Sequence, residues 1–246
     1  MGEGVLIVAF LGQTREPKAG ILASHSLGNE ERAVKPEAAP RLRLIPGRAA
    51  PNSAAEQDSL PSPDDEKLVA RARRSDLLAF EALYRRHSGF ALNLAVRIQG
   101  TAIDAEDIVH DAFLKANDRL SELRDGSAFR AWLGSIVVRL VRTRLRRRRL
   151  LGSLGLASPE PIELDAIASP NADPESRVLL AQVYSLLQTL PADDRIAWTL
   201  RYVDNHRLEV VASLVGCSLA TAKRRILRAQ RYLTAHFVPA FAEGES

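Results

Sequence analysis

The chain has 246 residues, of which 26% are charged, 46% hydrophobic and 5% aromatic, and its formal net charge is +4. Such a chain can hold one or two domains with real cores, and its composition is typical of a soluble, helix-rich protein. The single cysteine, Cys217, excludes an internal disulfide and favours a cytoplasmic location. No apolar stretch approaches the ~20 residues that a membrane-spanning helix needs, so membrane insertion is not expected.

Residues 1–61 predict a largely disordered N-terminal extension. Seven of the thirteen prolines fall within residues 1–63, together with one aromatic residue and no sustained periodicity. Two interpretations stay open for this segment. It is either a regulatory tail, or a disordered leader that includes translated sequence upstream of the true start.

Residues 62–150 predict a first domain of four helices. Ser62–Asp65 combines an N-cap serine, a proline and acidic residues, which is a strong start for a helix. A second helix is predicted over 76–99 and ends at Gly100, and a third covers about 103–120 with acidic residues on its outer face. The predicted inner face of the second helix consists of Phe80, Leu83, Tyr84, Phe90, Leu94 and Ile98.

Phe129 to Arg149 predict one long helix with two different halves. The first half carries apolar residues at three- and four-residue spacing, and the second half is a run of arginines. Four of these arginines fall on one stripe of the helix surface, namely Arg139, Arg142, Arg146 and Arg149. One end of the helix is therefore expected in a core, whereas the other end suits a polyanion.

Residues 151–175 predict a flexible linker that is acidic and rich in proline. Residues 151–176 carry five carboxylates and no basic residue, and the glycines and prolines from Gly152 onwards oppose a continuous helix. Residues 176–238 predict a second helical domain, and 239–246 form a short tail.

Four helices are expected in the second domain. The predicted inner face of the first consists of Val178, Leu179, Val183, Leu186, Leu187 and Leu190. The next helix starts at Pro191-Ala-Asp-Asp and carries Ile196, Trp198 and Leu200 among its apolar positions.

The last two helices have the proportions of a helix-turn-helix, with a short helix over 208–215, a turn over 216–218 and a longer helix over 219–237. The positions predicted to pack inward in the longer helix are Leu219, Ala222, Ile226, Ala229 and Leu233. Polar and basic side chains are left outside near the helix start, and Ser218 is the expected N-cap. Arginines at this place can pair with guanine edges or with phosphate. The alternative is a solvated basic face on an ordinary helical hairpin.

The order of these segments is more specific than any one of them. Along the chain stand the acidic motif DAEDIVHDAFLK at 104–115, the motif FRAWL at 129–133, the arginine-ended helix, the proline-rich linker, Leu190-Pro191 and the helix-turn-helix. In this order they resemble the extracytoplasmic-function sigma factors, promoter-specificity subunits of bacterial RNA polymerase, over about residues 64–237. The resemblance implies an all-α fold of two small helical domains, called region two and region four, joined by a flexible linker.

The resemblance also implies a role for each motif. A docking face for the clamp helices of the largest polymerase subunit is implied at Asp104, Glu106, Asp107 and Asp111, with Phe113 behind them. A loop that captures a flipped base of the minus-ten element is implied at Leu123, Arg124, Asp125 and Ser127. Contacts to the adjacent DNA backbone are implied at Arg139, Arg142 and Arg146. A reader of the minus-thirty-five element in the major groove is implied at Ser218, Thr221, Lys223, Arg224, Arg225 and Arg228.

The implied function is promoter recognition and transcription initiation, with no enzymatic activity and no cofactor. The implied partners are core RNA polymerase, double- and single-stranded promoter DNA, and an anti-sigma protein that masks the two domains. The five histidines show no metal-ligand spacing with each other or with Cys217, so no metal is expected. Two other interpretations stay open: a stand-alone helix-turn-helix regulator, which would not need the acidic face at 104–111, and a basic RNA-binding protein.

Overall fold

A computed structural model of the chain describes residues 63–156, 161–168 and 172–237, and these residues form helices and no strand. The predicted all-α fold is therefore confirmed for this part of the chain. The predicted extension, the Ser62 cap and the tail 239–246 lie outside the described residues. The helices are α1 Pro63–Ala72, α2 Leu77–Gln99, α3 Ala105–Asp118, α4 Phe129–Ser153, α5 Leu164–Ile167, α6 Pro174–Thr189, α7 Ala192–Tyr202, α8 Leu208–Val215 and α9 Leu219–His236.

Helix α2 is the central helix of the first domain, which comprises α1 to α4. Asp76 caps its start, because one carboxylate oxygen accepts a hydrogen bond from the Ala79 N–H at 3.1 Å. Gly100 ends it in the left-handed conformation, with φ of 71°, which glycine adopts without steric cost. Both ends agree with the prediction. The predicted inner face is wrong at Tyr84, which is 40% exposed because it lies at the edge of the contact between α2 and α3.

Helix α4 is longer than the sequence predicts. Its apolar half is buried as expected, with Phe129, Leu133 and Val137 in the core. Its basic half continues past Arg149 to Ser153, through a glycine that was expected to stop it. A glycine in an exposed last turn costs only about 1 kcal/mol, which the preceding helix tolerates.

The second domain comprises α6 to α9 and has its own core around Trp198, Tyr184 and Leu233. Helix α7 is buried on nearly all sides because it lies between α9 and the first domain. Two predicted inward positions are wrong. Val178 and Leu219 are 41% and 47% exposed, and each lies near the N-terminal end of its helix.

The two domains pack against each other along a contact that we call the domain seam, in which α2 and α4 of the first domain meet α7 and α8 of the second. One part of the seam lies at the C-terminal end of α2. The Tyr184 hydroxyl donates a hydrogen bond to the Arg97 carbonyl at 2.6 Å. Arg195 donates from Nε to the Ile98 carbonyl at 3.0 Å and from Nη2 to the Gln99 carbonyl at 2.5 Å. The last carbonyls of a helix have no partner within the helix, so the second domain caps a helix of the first. Burial lowers the pKa of Arg195 to about 10.

Part of the linker also packs against the seam. The Glu163 N–H donates to the Gly100 carbonyl at 3.0 Å, and its carboxylate accepts from the Ala102 N–H at 2.7 Å. The short helix α5 follows, and its Asp165 pairs with Arg177 in α6. The linker is thus attached to the first domain through residues 161–168, the part of it that lies between the undescribed ranges 157–160 and 169–171.

Asp65 joins α1 to α2, and we expect Asp65→Asn to lower the free energy of unfolding by about 2 to 3 kcal/mol. This buried carboxylate accepts from Arg86 Nη1 at 2.7 Å and lies 2.9 Å from His87 Nε2. The amide would leave the partly exposed Arg86 guanidinium and the buried His87 imidazole without their charged partner. Urea unfolding followed by circular dichroism measures the change.

Glu81→Gln is the matched control for Asp65→Asn, because it removes the same charge from an exposed pair with Arg85 on the same helix. Such pairs contribute only about 0.3–0.5 kcal/mol. Equal losses in the two variants would contradict a structural role for the buried carboxylate.

Candidate nucleic-acid and protein interfaces

Helix α3 has one buried and one acidic face. Ile108, Val109, Ala112 and Ala116 are buried against the first domain. The predicted acidic side chains all lie on the exposed face, at Asp104, Glu106, Asp107 and Asp111. Asp104 lies just before the helix, in the left-handed conformation, and pairs with Arg144 of α4. The described geometry therefore places a negative surface where the sequence motif predicts a docking face.

Phe113 lies beneath this acidic face and not on it. The side chain is buried, and its ring contacts Tyr84 with centroids 4.6 Å apart. Phe113 therefore packs in the core behind the predicted docking face and is not available to a partner on its surface. Leu114 beside it is exposed and was missed by the sequence reasoning. Asp107, Asp111 and Leu114 are spaced by four and three residues, so helical periodicity could have placed this leucine on the same stripe.

The predicted minus-ten loop consists of two short 3-10 turns, Leu120–Glu122 and Gly126–Ala128. Arg124 and Asp125 are exposed, whereas Leu123 is buried in the core. Asp125 accepts from the Ser127 N–H at 2.9 Å and from its hydroxyl at 2.6 Å. The four predicted residues therefore do not share one surface, because Leu123 anchors the loop while the others lie at its outer edge.

Helix α1 holds this loop in place, a contribution that the sequence reasoning missed. Gly126 lies so close to α1 that a Cβ on it would be 3.0 Å from the Glu66 Cα. Arg73 Nε donates to the Leu120 carbonyl at 3.2 Å, at the start of the loop. A side chain there would force α1 to move by a few tenths of an ångström, so Gly126 allows the loop to lie this close to α1.

The arginine stripe of α4 divides between solvent and the second domain. Arg139 is exposed. Arg142 reaches across the seam, where Nη2 donates to the Val215 carbonyl at 2.6 Å and Nε lies 2.9 Å from an Asp193 carboxylate oxygen. Burial lowers the pKa of Arg142, and Asp193 partly opposes this effect. Arg146 Nη2 contacts the other oxygen of Asp193 at 2.8 Å.

The helix-turn-helix has the predicted bounds at α8 and the predicted cap on α9. Gly216 ends α8 with φ of 67°, and the Ser218 hydroxyl accepts from the Thr221 N–H at 3.2 Å. The remaining inward positions of α9 are buried as predicted, at Ala222, Ile226, Ala229 and Leu233. Thr221 is half-buried. The N-terminal turn of α9 is thus preorganised to present its outer side chains.

The predicted basic reader falls into two groups. Lys223 and Arg224 are exposed. Arg225 instead contacts Asp193 at 3.1 Å. Arg228 donates from Nε and Nη2 to the two oxygens of Asp194, both at 2.5 Å, and this hydrogen bonding raises the pKa of Arg228. Only the first group is free of ion pairs with α7.

Asp193 and Asp194, at the start of α7, are two further residues whose contacts the sequence reasoning missed. They were interpreted only as an acidic helix start after Pro191. In the structure, Asp193 contacts two arginines of α4 and Arg225 of α9. Asp194 contacts Arg228, also on α9. No local pattern signals this, because the partners lie far away in the chain.

Two features are absent from the ranges that the structure describes. None of their helices combines the length and the apolar character needed to cross a bilayer. Within the same ranges, no three histidine, cysteine or carboxylate side chains are grouped so that they could hold a metal ion.

Comparisons with known proteins match both halves of the chain. The family models described as sigma-70 region 2 and sigma-70 region 4 match residues 83–150 and 180–233. The RNA polymerase sigma-H factor of Pseudomonas aeruginosa is 32% identical over 186 residues, which cover 73% of this chain and 96% of that protein. The ECF RNA polymerase sigma-E factor of Escherichia coli strain K12 is 31% identical over 173 residues, or 68% of this chain and 90% of that protein.

Among solved structures, the chain is similar to CnrH in its complex with the cytosolic domain of CnrY. The TM-score is 0.48 at 29% identity, and the match covers 70% of this chain and 96% of that one.

Proposed function

The chain belongs to the extracytoplasmic-function group of the sigma-70 family, a family of transcription-initiation factors. From this premise we propose which partner each of its exposed surfaces binds. The first domain binds core RNA polymerase through α3 and reads the minus-ten element through the loop after it. The second domain reads the minus-thirty-five element through α9. The role asks for no catalysis by the chain itself.

One observation carries this proposal: a single chain presents an exposed acidic helix on one domain and an exposed basic helix start on the other. The acidic face of α3 would repel DNA, so its partner is a protein surface with basic or polar groups. Asp107, Asp111 and Leu114 together give the mixture of charge and apolar area that suits a contact between helices. A stand-alone regulator would have no use for this face.

The minus-ten contact is proposed for the outer edge of the Leu120–Ala128 segment. A base can enter a protein pocket only after it leaves the stack, and unstacking costs a few kcal/mol. A loop that is already fixed by Gly126 against α1 and by the Asp125–Ser127 turn avoids a further ordering cost. Arg124, which is exposed there, supplies the charge for the adjacent phosphate.

The minus-thirty-five contact is proposed for Thr221, Lys223 and Arg224, at the start of α9. Arg225 and Arg228 complete the reader after they exchange their carboxylate partners for DNA. By analogy with the family, an anti-sigma protein is the proposed regulator of the chain, and co-purification from the native cell tests this.

Arg224→Ala should weaken binding to one promoter sequence by ~1–3 kcal/mol more than to others, because a bidentate contact to a base edge is sequence-specific. Arg147→Ala, in the arginine run of α4, should weaken binding to all DNA alike and reduce the salt dependence by about one phosphate contact. Both side chains are exposed, so neither change should unfold the chain. Fluorescence anisotropy over a salt series measures both effects, and identical behaviour of the two variants would contradict this division.

Run-off transcription with purified core polymerase tests the whole proposal, with the DNA upstream of the chain's own gene as template. A transcript with one defined start that depends on the chain is the expected result. Absence of any promoter-dependent transcript, together with equal affinity for structured RNA and duplex DNA, would favour the RNA-binding interpretation instead.

A further inference from the structure

The outer face of α9 carries one large apolar side chain among basic ones. Leu227 is 45% exposed, whereas Ile226 beside it is buried in the core. Lys223 and Arg224 lie one turn before Leu227, Arg231 lies one turn after it, and all three basic residues are exposed. A leucine therefore lies at the centre of the surface that is proposed to read the minus-thirty-five element.

The core of the second domain uses a different face of α9. The buried residues of this helix recur at three- and four-residue spacing and are Ala222, Ile226, Ala229 and Leu233. Leu227 follows Ile226 directly, so its side chain points about 100° away from that of Ile226 around the helix. A single exposed leucine is common on protein surfaces and needs no partner. Leu227 differs because basic side chains surround it, and a surface that bound only phosphates would gain nothing from an apolar group.

Thymine offers the group that matches this leucine. In the major groove the base pairs present hydrogen-bond donors and acceptors, and the C5-methyl of thymine is the apolar group among them. The backbone outside the groove presents charged phosphate oxygens. An apolar side chain at the centre of a helix that enters the groove can therefore pack on a thymine methyl and remove both apolar groups from water.

The spacing along α9 fits two neighbouring base pairs. Arg224 and Leu227 are three residues apart on the exposed side of the helix, which separates them by about 4.5 Å along its axis. Successive bases of one strand are about 3.4 Å apart. When α9 lies along the groove, the two side chains thus face base pairs one or two steps apart. Ala220, which is exposed one turn before Arg224, is too short to hold the helix away from the base edges.

We propose that Leu227 is a specificity-determining residue that selects a thymine by packing on its C5-methyl group, one or two base pairs from the base that Arg224 contacts. The inference rests on the proposed function of α9 as the reader of the minus-thirty-five element. Leu227 adds the recognition of an apolar group to a surface whose exposed basic neighbours recognise hydrogen-bond acceptors.

The first test removes the methyl group from the DNA. The probe is a fluorescent duplex that the full chain selects from a randomised pool, and each thymine in it is replaced in turn by deoxyuridine, which lacks only the methyl. One replacement should weaken binding of the unchanged chain about fourfold, the effect of one buried methyl-sized group. Leu227→Ala should weaken binding to the thymine duplex by a similar factor and should lose nothing more on that replacement. Fluorescence anisotropy measures both affinities.

Leu78→Ala is the matched control, because it truncates a leucine that is 72% exposed on α2, outside the proposed DNA surfaces. It should keep the full sensitivity to deoxyuridine. Leu227→Met should keep this sensitivity too, since methionine retains the apolar contact. A folding defect would weaken binding to the thymine and deoxyuridine duplexes alike. The proposal is overturned if no thymine is sensitive in the unchanged chain, or if the fourfold loss persists in Leu227→Ala.

The second test compares the sequences that the variants select from the same pool. Leu227→Ala should still select the base that Arg224 contacts, which we expect to be a guanine, but should no longer require the thymine. Arg224→Ala should keep the thymine and lose the guanine, and the two positions should lie at most two base pairs apart. A thymine requirement that survives in Leu227→Ala would contradict the assignment.

These outcomes are separate from the fate of the proposed function. If the full chain selects no sequence at all, the proposed reader on α9 fails and the role of Leu227 fails with it. If the chain selects a sequence and supports transcription, while Leu227→Ala changes neither the selected thymine nor the response to deoxyuridine, the proposed function stands and the thymine contact fails.

Discussion

The combined change Asp107→Arg and Asp111→Arg should reduce binding of the chain to core RNA polymerase by at least about 100-fold, since like charges placed together in an interface cost several kcal/mol. Both carboxylates lie on the exposed face of α3, one turn apart, with Leu114 on the same stripe. The buried face of α3 is untouched, so the helix should stay in place. Surface plasmon resonance with immobilised polymerase measures the affinity.

Glu175→Arg with Glu209→Arg is the matched control, because it makes the same change of charge at exposed positions of the second domain. Circular dichroism checks that both double variants keep their helix content. If the α3 variant binds polymerase as well as the control does, α3 is not the docking helix, and the proposed function loses its main support.

Trp198→Ala should lower the stability of the second domain by about 3–5 kcal/mol, the usual cost of removing a large buried aromatic side chain. Trp198 is fully buried, its ring lies 5.1 Å from that of Tyr202, and Nε1 donates to Gln230 Oε1 at 2.9 Å. Such a loss is close to the whole stability of a small domain. We therefore expect the helix-turn-helix to unfold while α3 still docks on polymerase.

Trp198→Phe separates packing from hydrogen bonding at this site, because it keeps most of the apolar volume and leaves Gln230 without its donor. It should cost about 1–2 kcal/mol. Urea unfolding, monitored by tryptophan fluorescence of Trp132 and by circular dichroism, gives both values and resolves the two domains. A loss below 1 kcal/mol for the alanine variant would show that the domain does not depend on this core.

The sequence predicted those parts of the fold whose signals are local. Asp76, Gly100 and Ser218 each act on backbone groups within four residues, so the ends they cause can be recognised from a short window. The exposed acidic face of α3 follows in the same way from helical periodicity. The family resemblance added the order of the motifs, which no single pattern supplies.

What the sequence could not predict depends on distant partners. Asp193 and Arg146 are 47 residues apart, and nothing near either one indicates the other. Leu123 was assigned to the minus-ten loop, yet it is buried, because the first domain's core extends beneath that loop. The two groups of basic residues on α9 look alike in the sequence and differ only in whether α7 offers a carboxylate.

The attachment of Glu163 to the end of α2 shortens the free length of chain between the two domains. For short tethers, the effective concentration of one part near the other is on the order of millimolar, and it falls as the free length of the tether grows. The second domain therefore stays near the first at any dilution of the protein.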